Sequence, residues 1–340
     1  MSNKPFKVAI AVGKSMAESI FSEQDIEVLT SFADINPIDK LPETVTPQFI
    51  AEILQDADAC ITCWGTPGFT EEMLSNAPKL RLIAHSAGSI KNLIPNTYWE
   101  TGSRRITSNA PLIAKDVAQT FMAFTLCSLR GLWGFAKSTE KGEWSGGEAS
   151  LFKTRSLEGL TVGLIGGSNV AKEVINVLKP YNCKIKLYDP YISAIEANEL
   201  GVTLTNLDEL IASSDIVSLH APGTDECKHM INASNVSLIK NGALFINTAR
   251  GILVDEPALI KELQKNRFFA CIDVTDPEPP AKDHPFRTME NVILTPHIAG
   301  GHTADVRKSL GKNSIKKVFK YLHTGILDQE VRKEMLDRMA

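Results

Sequence analysis

The sequence lacks an excess of either charge, a membrane-length apolar run, a second cysteine pair and a complete glycine fingerprint. Its 36 Lys and Arg face 40 Asp and Glu, a formal net charge of −4. With neither sign dominant, neither nucleic acid nor membrane is expected as a partner. The longest helical run without charge, 117–129, falls short of the ~20 residues that span a bilayer. The N-terminus runs from MSNKPFK into a short apolar stretch ended by Gly13. It shows neither a secretory apolar core nor a small-residue cleavage site, so a cytoplasmic location is expected. Most of the six cysteines lie in apolar runs, as reduced core thiols do. Cys60 and Cys63 form a C-x-x-C. A zinc site would need a second pair, and a redox pair would sit at a helix start rather than in a predicted strand. His85, His229, His284, His302 and His323 have no metal-ligand spacing. They are expected to be structural or surface residues, and no metal site is expected.

What is present is a regular alternation. A chain of 340 residues exceeds one compact core, so two domains are expected. At 43% hydrophobic and 22% charged residues, the composition is that of an ordinary globular protein. Short apolar runs at 7–12, 58–64 and 80–86 read as strands, with helices at 22–32, opened by Ser22, and at 70–77. A long helix is expected over 113–132, then a polar, Gly-rich loop over 137–150. A second series of strands falls at 161–166, 184–189, 216–220, 243–247, 268–274 and 292–296. The tail, 303–340, reads as charged and helical. Apolar runs bounded by turn residues and separated by helices indicate parallel α/β sheets.

The segment TVGLIGGSNVAKEV, 161–174, places a strand, a turn and a helix where a dinucleotide fold carries G-x-G-x-x-G. Counted from Gly166, the second glycine is Ser168 and the third is Ala171. Gly166 can make the tight turn, and Ala171 adds only a methyl at the helix–strand contact. Ser168 puts a Cβ where the backbone approaches a pyrophosphate. Its hydroxyl either donates to a phosphate oxygen or crowds it. The helix start at Ser168, Asn169 and Val170 offers free N–H groups to an anion. Asp189 ends the next strand, 189 − 166 = 23 residues on. An acid about 20 residues on, at a strand end, binds the ribose hydroxyls of NAD and repels the 2′-phosphate of NADP.

Three later strands each end in a reactive residue: Arg250 in FINTARG, Glu278 in CIDVTDPEPP and His297 in ILTPHIAGG. Ligands of open α/β sheets bind outside the carboxyl ends of the strands, so these side chains are expected at one crevice. A histidine can exchange a proton, a partner carboxylate favours its protonated form, and an arginine can grip a carboxylate at two points.

With these motifs, and with VSLHAPGTDECKHMINASNVSLIKNGALFINTARGILVDEPALIKEL, the chain resembles the D-isomer-specific 2-hydroxyacid dehydrogenase family. The resemblance implies an α/β fold of two doubly wound parallel-sheet domains. A Rossmann-type NAD-binding domain, 103–302, is inserted into a flavodoxin-like substrate domain formed by 1–102 and 303–340. It implies NAD as cofactor, a small 2-oxo or 2-hydroxy acid as substrate and a homodimer. It makes Arg250, Glu278 and His297 catalytic. It also puts His220, Pro222, Thr248, Ala249, Asp273 and Gly300 near the cofactor, with Asp273 toward the nicotinamide carboxamide. Where relatives carry a substrate-binding G-V-G-V-D loop, this chain reads HSAGSIKN. Ala87, Gly88 and Ser89 are the substrate-binding candidates there, and Lys91 replaces the usual Asp. Trp64 either overlooks the same pocket or packs in the core. Gln119 stands where relatives often have Glu. A second reading is an NAD(H)-sensing, corepressor-like protein with little or no turnover. The altered glycine motif and carboxylate loop favour it, and the intact Arg–Glu–His set opposes it.

Overall fold

The computed structural model describes residues 4–100, 102–144 and 154–338. Contacts divide the chain into two units, 1–113 with 301–337, and 114–300 with 338–340. The first unit holds β1 (Phe6–Ala11), β2 (Ala33–Ile35), β3 (Ala59–Thr62), β4 (Leu82–His85) and β5 (Arg105–Thr107). Its sheet is parallel with order β2-β1-β3-β4-β5, the flavodoxin-like order. Because β5 pairs with β4, the chain leaves this unit after residue 113 rather than near 102.

Local rules account for the helices around this sheet. Ser22 caps Glu23–Phe32 in a reciprocal capping box with Asp25, and Thr70 caps Glu71–Ser75. The helix Ala304–Thr324 returns to the same core, where Ile315, Val318 and Leu322 pack with Val8, Ile10 and Ile61. It stops at Gly325 in the left-handed conformation. The tail beyond it is not the continuous helix expected. Glu330 bridges Thr107 antiparallel and pairs with Arg105 at 3.0 Å, covering the open edge of β5.

The second unit holds β6 (Thr161–Ile165), β7 (Lys184–Tyr188), β8 (Thr203–Leu204), β9 (Ile216–Leu219), β10 (Leu244–Asn247), β11 (Phe269–Ile272) and β12 (Val292–Leu294). The order β12-β11-β10-β9-β6-β7-β8 is the Rossmann order, with the crossover reversing between β6 and β9. Both faces are covered. Phe245, Phe268 and Phe286 fill one side; Phe121, Val162, Leu164 and Val174 fill the other. The helix Ala110–Leu129 is long and apolar enough to cross a bilayer, yet its Ala118, Phe121, Phe124 and Leu129 belong to this core. A second helix, Leu132–Glu140, takes up the start of the expected 137–150 loop; positions 145–150 lie outside the described residues.

Gly311 marks the tightest helix contact in the first unit. A Cβ there would stand 2.0 Å from the carbonyl oxygen of Ile20, a backbone atom that cannot swing aside. Gly311→Ala is expected to destabilise this unit by roughly 1–3 kcal/mol, as overpacking does. Urea unfolding followed by circular dichroism would check it, and an unchanged midpoint would contradict the contact.

Candidate active site

The turn after β6 requires glycine at its first position. Gly166 has φ +99°, and a Cβ on it would lie 2.5 Å from the Ala221 nitrogen. At Gly167 a Cβ would meet Ile192 Cδ1 at 2.1 Å. The Gly167 N–H donates to Asp189 Oδ2 at 2.6 Å, and the Tyr191 N–H donates to Oδ1 at 2.8 Å. Asp189 is therefore held at the lip of the turn. The motif spacing does not single out Gly167, because it sits at a variable position of the fingerprint.

Ser168 has a role the motif does not suggest. It is the N-cap of the helix Asn169–Leu178, and its hydroxyl oxygen accepts from the Ala171 N–H at 3.4 Å. Its O–H stays available as a donor. Ala171 is fully buried, as close helix–sheet packing requires. Asn169 is exposed and Val170 half-buried at the first helical positions.

At the ends of the next two strands, polar atoms are buried without partners among the described residues. His220 follows β9 and is 3% exposed, with Nε2 unpaired; Thr248 follows β10 with Oγ1 unpaired. Burial lowers the His220 pKa to about 3, so its ring is neutral. Unpaired buried polar groups are unfavourable without a ligand or water. Together with the glycine turn and the carboxylate at its lip, they fit a bound dinucleotide. Pro222 is half-buried beside them. Ala249 is buried, its N–H donating to Asn247 Oδ1 at 3.0 Å.

The loops after β10, β11 and β12 carry the reactive residues, and backbone contacts draw them together. A Cβ on Gly251 would fall 2.1 Å from the Thr275 carbonyl carbon, so only glycine lets the two loops meet there. Gly223 likewise makes room for the Arg250 stem, 2.8 Å from where its Cβ would be. The Arg250 Nη1 donates to the Ala249 carbonyl at 2.5 Å. Burial lowers its pKa, and the nearby Glu278 carboxylate opposes that shift.

His297 Nδ1 and Glu278 Oε1 are 2.7 Å apart. The imidazole donates from Nδ1 to the carboxylate, which leaves Nε2 without a partner among the described residues. His297 has φ +53°, a conformation that non-glycine residues adopt under constraint. The constraint is Asp273. Its carboxylate accepts from Thr295 Oγ1 at 2.5 Å and from the Ile298 and Ala299 N–H groups at 2.9 Å each. Its carbonyl accepts from the His297 N–H at 2.9 Å. Asp273 is 1% exposed, and each hydrogen bond of its carboxylate runs to the His297 loop. Thr120 Oγ1 adds a bond to the Ala299 carbonyl at 2.9 Å, one residue before the half-buried Gly300.

In the first unit, the Ser86 N–H donates to the Thr62 carbonyl, which brings the loops after β3 and β4 side by side. Ala87 is buried, Gly88 half-buried and Ser89 exposed. A Cβ on Gly88 would meet only Ile113 Cδ1, at an ordinary 3.7 Å, so this glycine is not sterically required. Trp64 is 37% exposed, and its ring lies against Gly301.

Residues 122–299 match the model described as "D-isomer specific 2-hydroxyacid dehydrogenase, NAD binding domain". The chain is 32% identical over 304 residues to D-3-phosphoglycerate dehydrogenase of Methanocaldococcus jannaschii, covering 88% of this chain and 56% of that protein. It is 30% identical over 276 residues to hydroxypyruvate reductase of Thermotoga maritima, covering 80% of this chain and 87% of the relative. A phosphoglycerate oxidoreductase from Rhizobium etli shares the fold, with a TM-score of 0.78 at 23% identity, over 96% of this chain and 99% of that one. The fold and site define a nicotinamide-dependent oxidoreductase with a Rossmann domain. The chain belongs to the D-isomer specific 2-hydroxyacid dehydrogenase family, and its cofactor is NAD.

The capping role of Ser168 has a measurable consequence. Ser168→Ala should lower stability by about 0.5–1 kcal/mol, as loss of an N-cap does. Ser168→Gly should lower it by only a few tenths. Thermal unfolding without cofactor would check the order; equal stability of Ser168→Ala and the parent would contradict it.

Proposed function

We propose that the protein reduces a small 2-oxo acid to the D-2-hydroxy acid with NADH. The observation that carries this reading is the Glu278–His297 hydrogen bond, which leaves Nε2 available to exchange a proton, with Arg250 in electrostatic reach of the same carboxylate. Bound NADH would supply the hydride that C2 receives. The imidazolium of His297 delivers a proton from Nε2 to the C2 oxygen as negative charge builds there. Glu278 orients the ring through its hydrogen bond to Nδ1. Arg250 pairs with the substrate carboxylate and stabilises the developing oxyanion. Gly166, Ser168, Asn169 and Val170 hold the pyrophosphate, and Asp189 takes the ribose hydroxyls. His220, Pro222, Thr248, Ala249 and Gly300 line the cofactor. Asp273 positions the His297 loop, and would lie toward a bound nicotinamide.

In the other unit, Trp64 and the backbone of Ala87, Gly88 and Ser89 are assigned to the substrate. The names of the relatives make hydroxypyruvate, glyoxylate and 3-phosphoglycerate chemistry the first substrates to try. A cytoplasmic homodimer belongs to the same reading. Leu132, 50% exposed, and Trp144, 93% exposed, flank the helix Leu132–Glu140 with apolar surface that a second copy would cover.

Two variants test the reading. His297→Gln should lower kcat with hydroxypyruvate or glyoxylate by roughly 10²–10⁴-fold, the scale of acid–base catalysis. NADH binding, followed by fluorescence, should be nearly unchanged. Undiminished turnover would remove His297 from the mechanism, whereas tight NADH binding by a parent protein inactive on every 2-oxo acid would favour a sensor. Separately, Asp189→Ala should narrow the preference for NADH over NADPH in kcat/KM. A constant ratio would show that Asp189 does not read the ribose.

A further inference from the structure

Behind the Glu278–His297 pair lies a second carboxylate–histidine pair that the proposed chemistry does not use. Glu256, the first residue of the helix Glu256–Leu263, is 8% exposed. Its Oε2 is 3.0 Å from His284 Nε2. Its Oε1 accepts from the Asp276 N–H at 2.9 Å. The other ring nitrogen, His284 Nδ1, accepts from the Phe286 N–H at 3.3 Å, and the two rings stack edge to face at 4.7 Å. The His284 tautomer is thereby set: Nδ1 accepts and Nε2 donates to Glu256.

The loop that carries Glu278 is tied at both of its ends. Glu256 holds it at Asp276. Arg287 holds it at Pro280 and Ala281, donating to their carbonyls at 3.0 and 2.9 Å. Glu278 stands between these ties with its side chain on His297. Burial raises the Glu256 pKa, and so does the Asp276 carboxylate; the Asp276 N–H and His284 oppose them. A buried carboxylate kept in place by one backbone N–H and one imidazole is a fixed strut between a helix start and a loop. The outer pair has no such support of its own, since His297 and Glu278 side chains are 45% and 40% exposed.

We infer that Glu256 is a positioning residue for the acid–base pair: its carboxylate, oriented by His284, fixes the Asp276–Glu278 segment so that Glu278 meets His297 Nδ1. The kinetic part of this inference rests on the proposed reductase reading; the spectroscopic part does not.

The test compares Glu256→Ala, Glu256→Gln and His284→Phe with the parent protein. Glu256→Ala should lower kcat for glyoxylate or hydroxypyruvate by about tenfold or more, since small misplacements of catalytic groups have effects of this size. KM should change less than about threefold and the NADH dissociation constant less than about twofold, because the group acts through Glu278 alone. Glu256→Gln keeps an acceptor for the Asp276 N–H but sets its amide N–H group against the His284 Nε2–H, so it should recover only part of the lost kcat. Ring ¹⁵N shifts of His297 report its bond to Glu278 directly. In Glu256→Ala they should move toward the values seen in Glu278→Ala, where the bond is absent; in Glu256→Gln they should move less. His284→Phe preserves the packing on Phe286 and should produce the same shift change in smaller measure, which keeps the test decisive should Glu256→Ala not fold. Parent-like ring shifts in Glu256→Ala and His284→Phe would overturn the inference. A parent protein with no turnover would sink the reductase reading while leaving the ring-shift comparison intact.

Discussion

The arrangement depends first on one buried carboxylate, Asp273. It sits just past β11 and accepts hydrogen bonds from the next strand's loop at Thr295, Ile298 and Ala299. Those bonds turn the chain back on itself at His297, which takes a left-handed conformation to do so. Such a conformation costs about 1–3 kcal/mol. Hydrogen bonds to a charged group contribute about 1.5–3 kcal/mol each, and three of them outweigh that strain. The family resemblance implies that Asp273 faces the nicotinamide carboxamide. In this chain its carboxylate has a prior obligation, to fix where the histidine stands.

Parallel topology does the rest of the gathering. β10, β11 and β12 are neighbours in the sheet and run the same way, so the loops beyond them emerge side by side. Neighbouring parallel strands already bring these loops within side-chain reach, about 5 Å apart. Gly251 closes them further by letting its backbone pass against Thr275, and Gly223 lets the Arg250 stem lie close. Two absent side chains thus bring the arginine closer to the glutamate and the histidine. The same device works at the cofactor turn, where Gly166 and Gly167 allow β6 to approach the ends of β7 and β9.

Much of this is legible in the sequence. Buried parallel strands are apolar runs, and β1, β3, β4, β6, β7 and β9 to β12 announce themselves that way. β2, β5 and β8 have two or three residues each and sit at or next to a sheet edge, where partial exposure erases the apolar signal. Arg250, Glu278 and His297 are visible because each follows a recognisable strand. Glu256 and His284 are not: their partners lie 20 residues away or more in sequence, and a charged residue at a helix start usually means a solvated one. The tail reads as one helix because its charge pattern continues past Gly325, whereas Glu330 bridges β5 and only Lys333–Arg338 turns helically beyond it, as a 3-10 helix. Ser168 misleads for a subtler reason. A motif asks what each position does for the ligand, and this serine first satisfies the helix it begins.

The distribution of burial separates what holds the fold from what performs chemistry. An ion pair as exposed as His297 and Glu278 adds little to stability, because water screens it and two mobile side chains must be ordered. Its 2.7 Å geometry therefore has to be imposed from behind. The groups that impose it are the buried ones: Asp273 behind the histidine and Glu256 behind the glutamate, with Gly251 letting the Arg250 loop close against Thr275. Each side chain of the exposed pair thus has its own anchor in the second unit. A site built this way can keep its reactive atoms open to a small substrate, because their placement does not depend on their own burial.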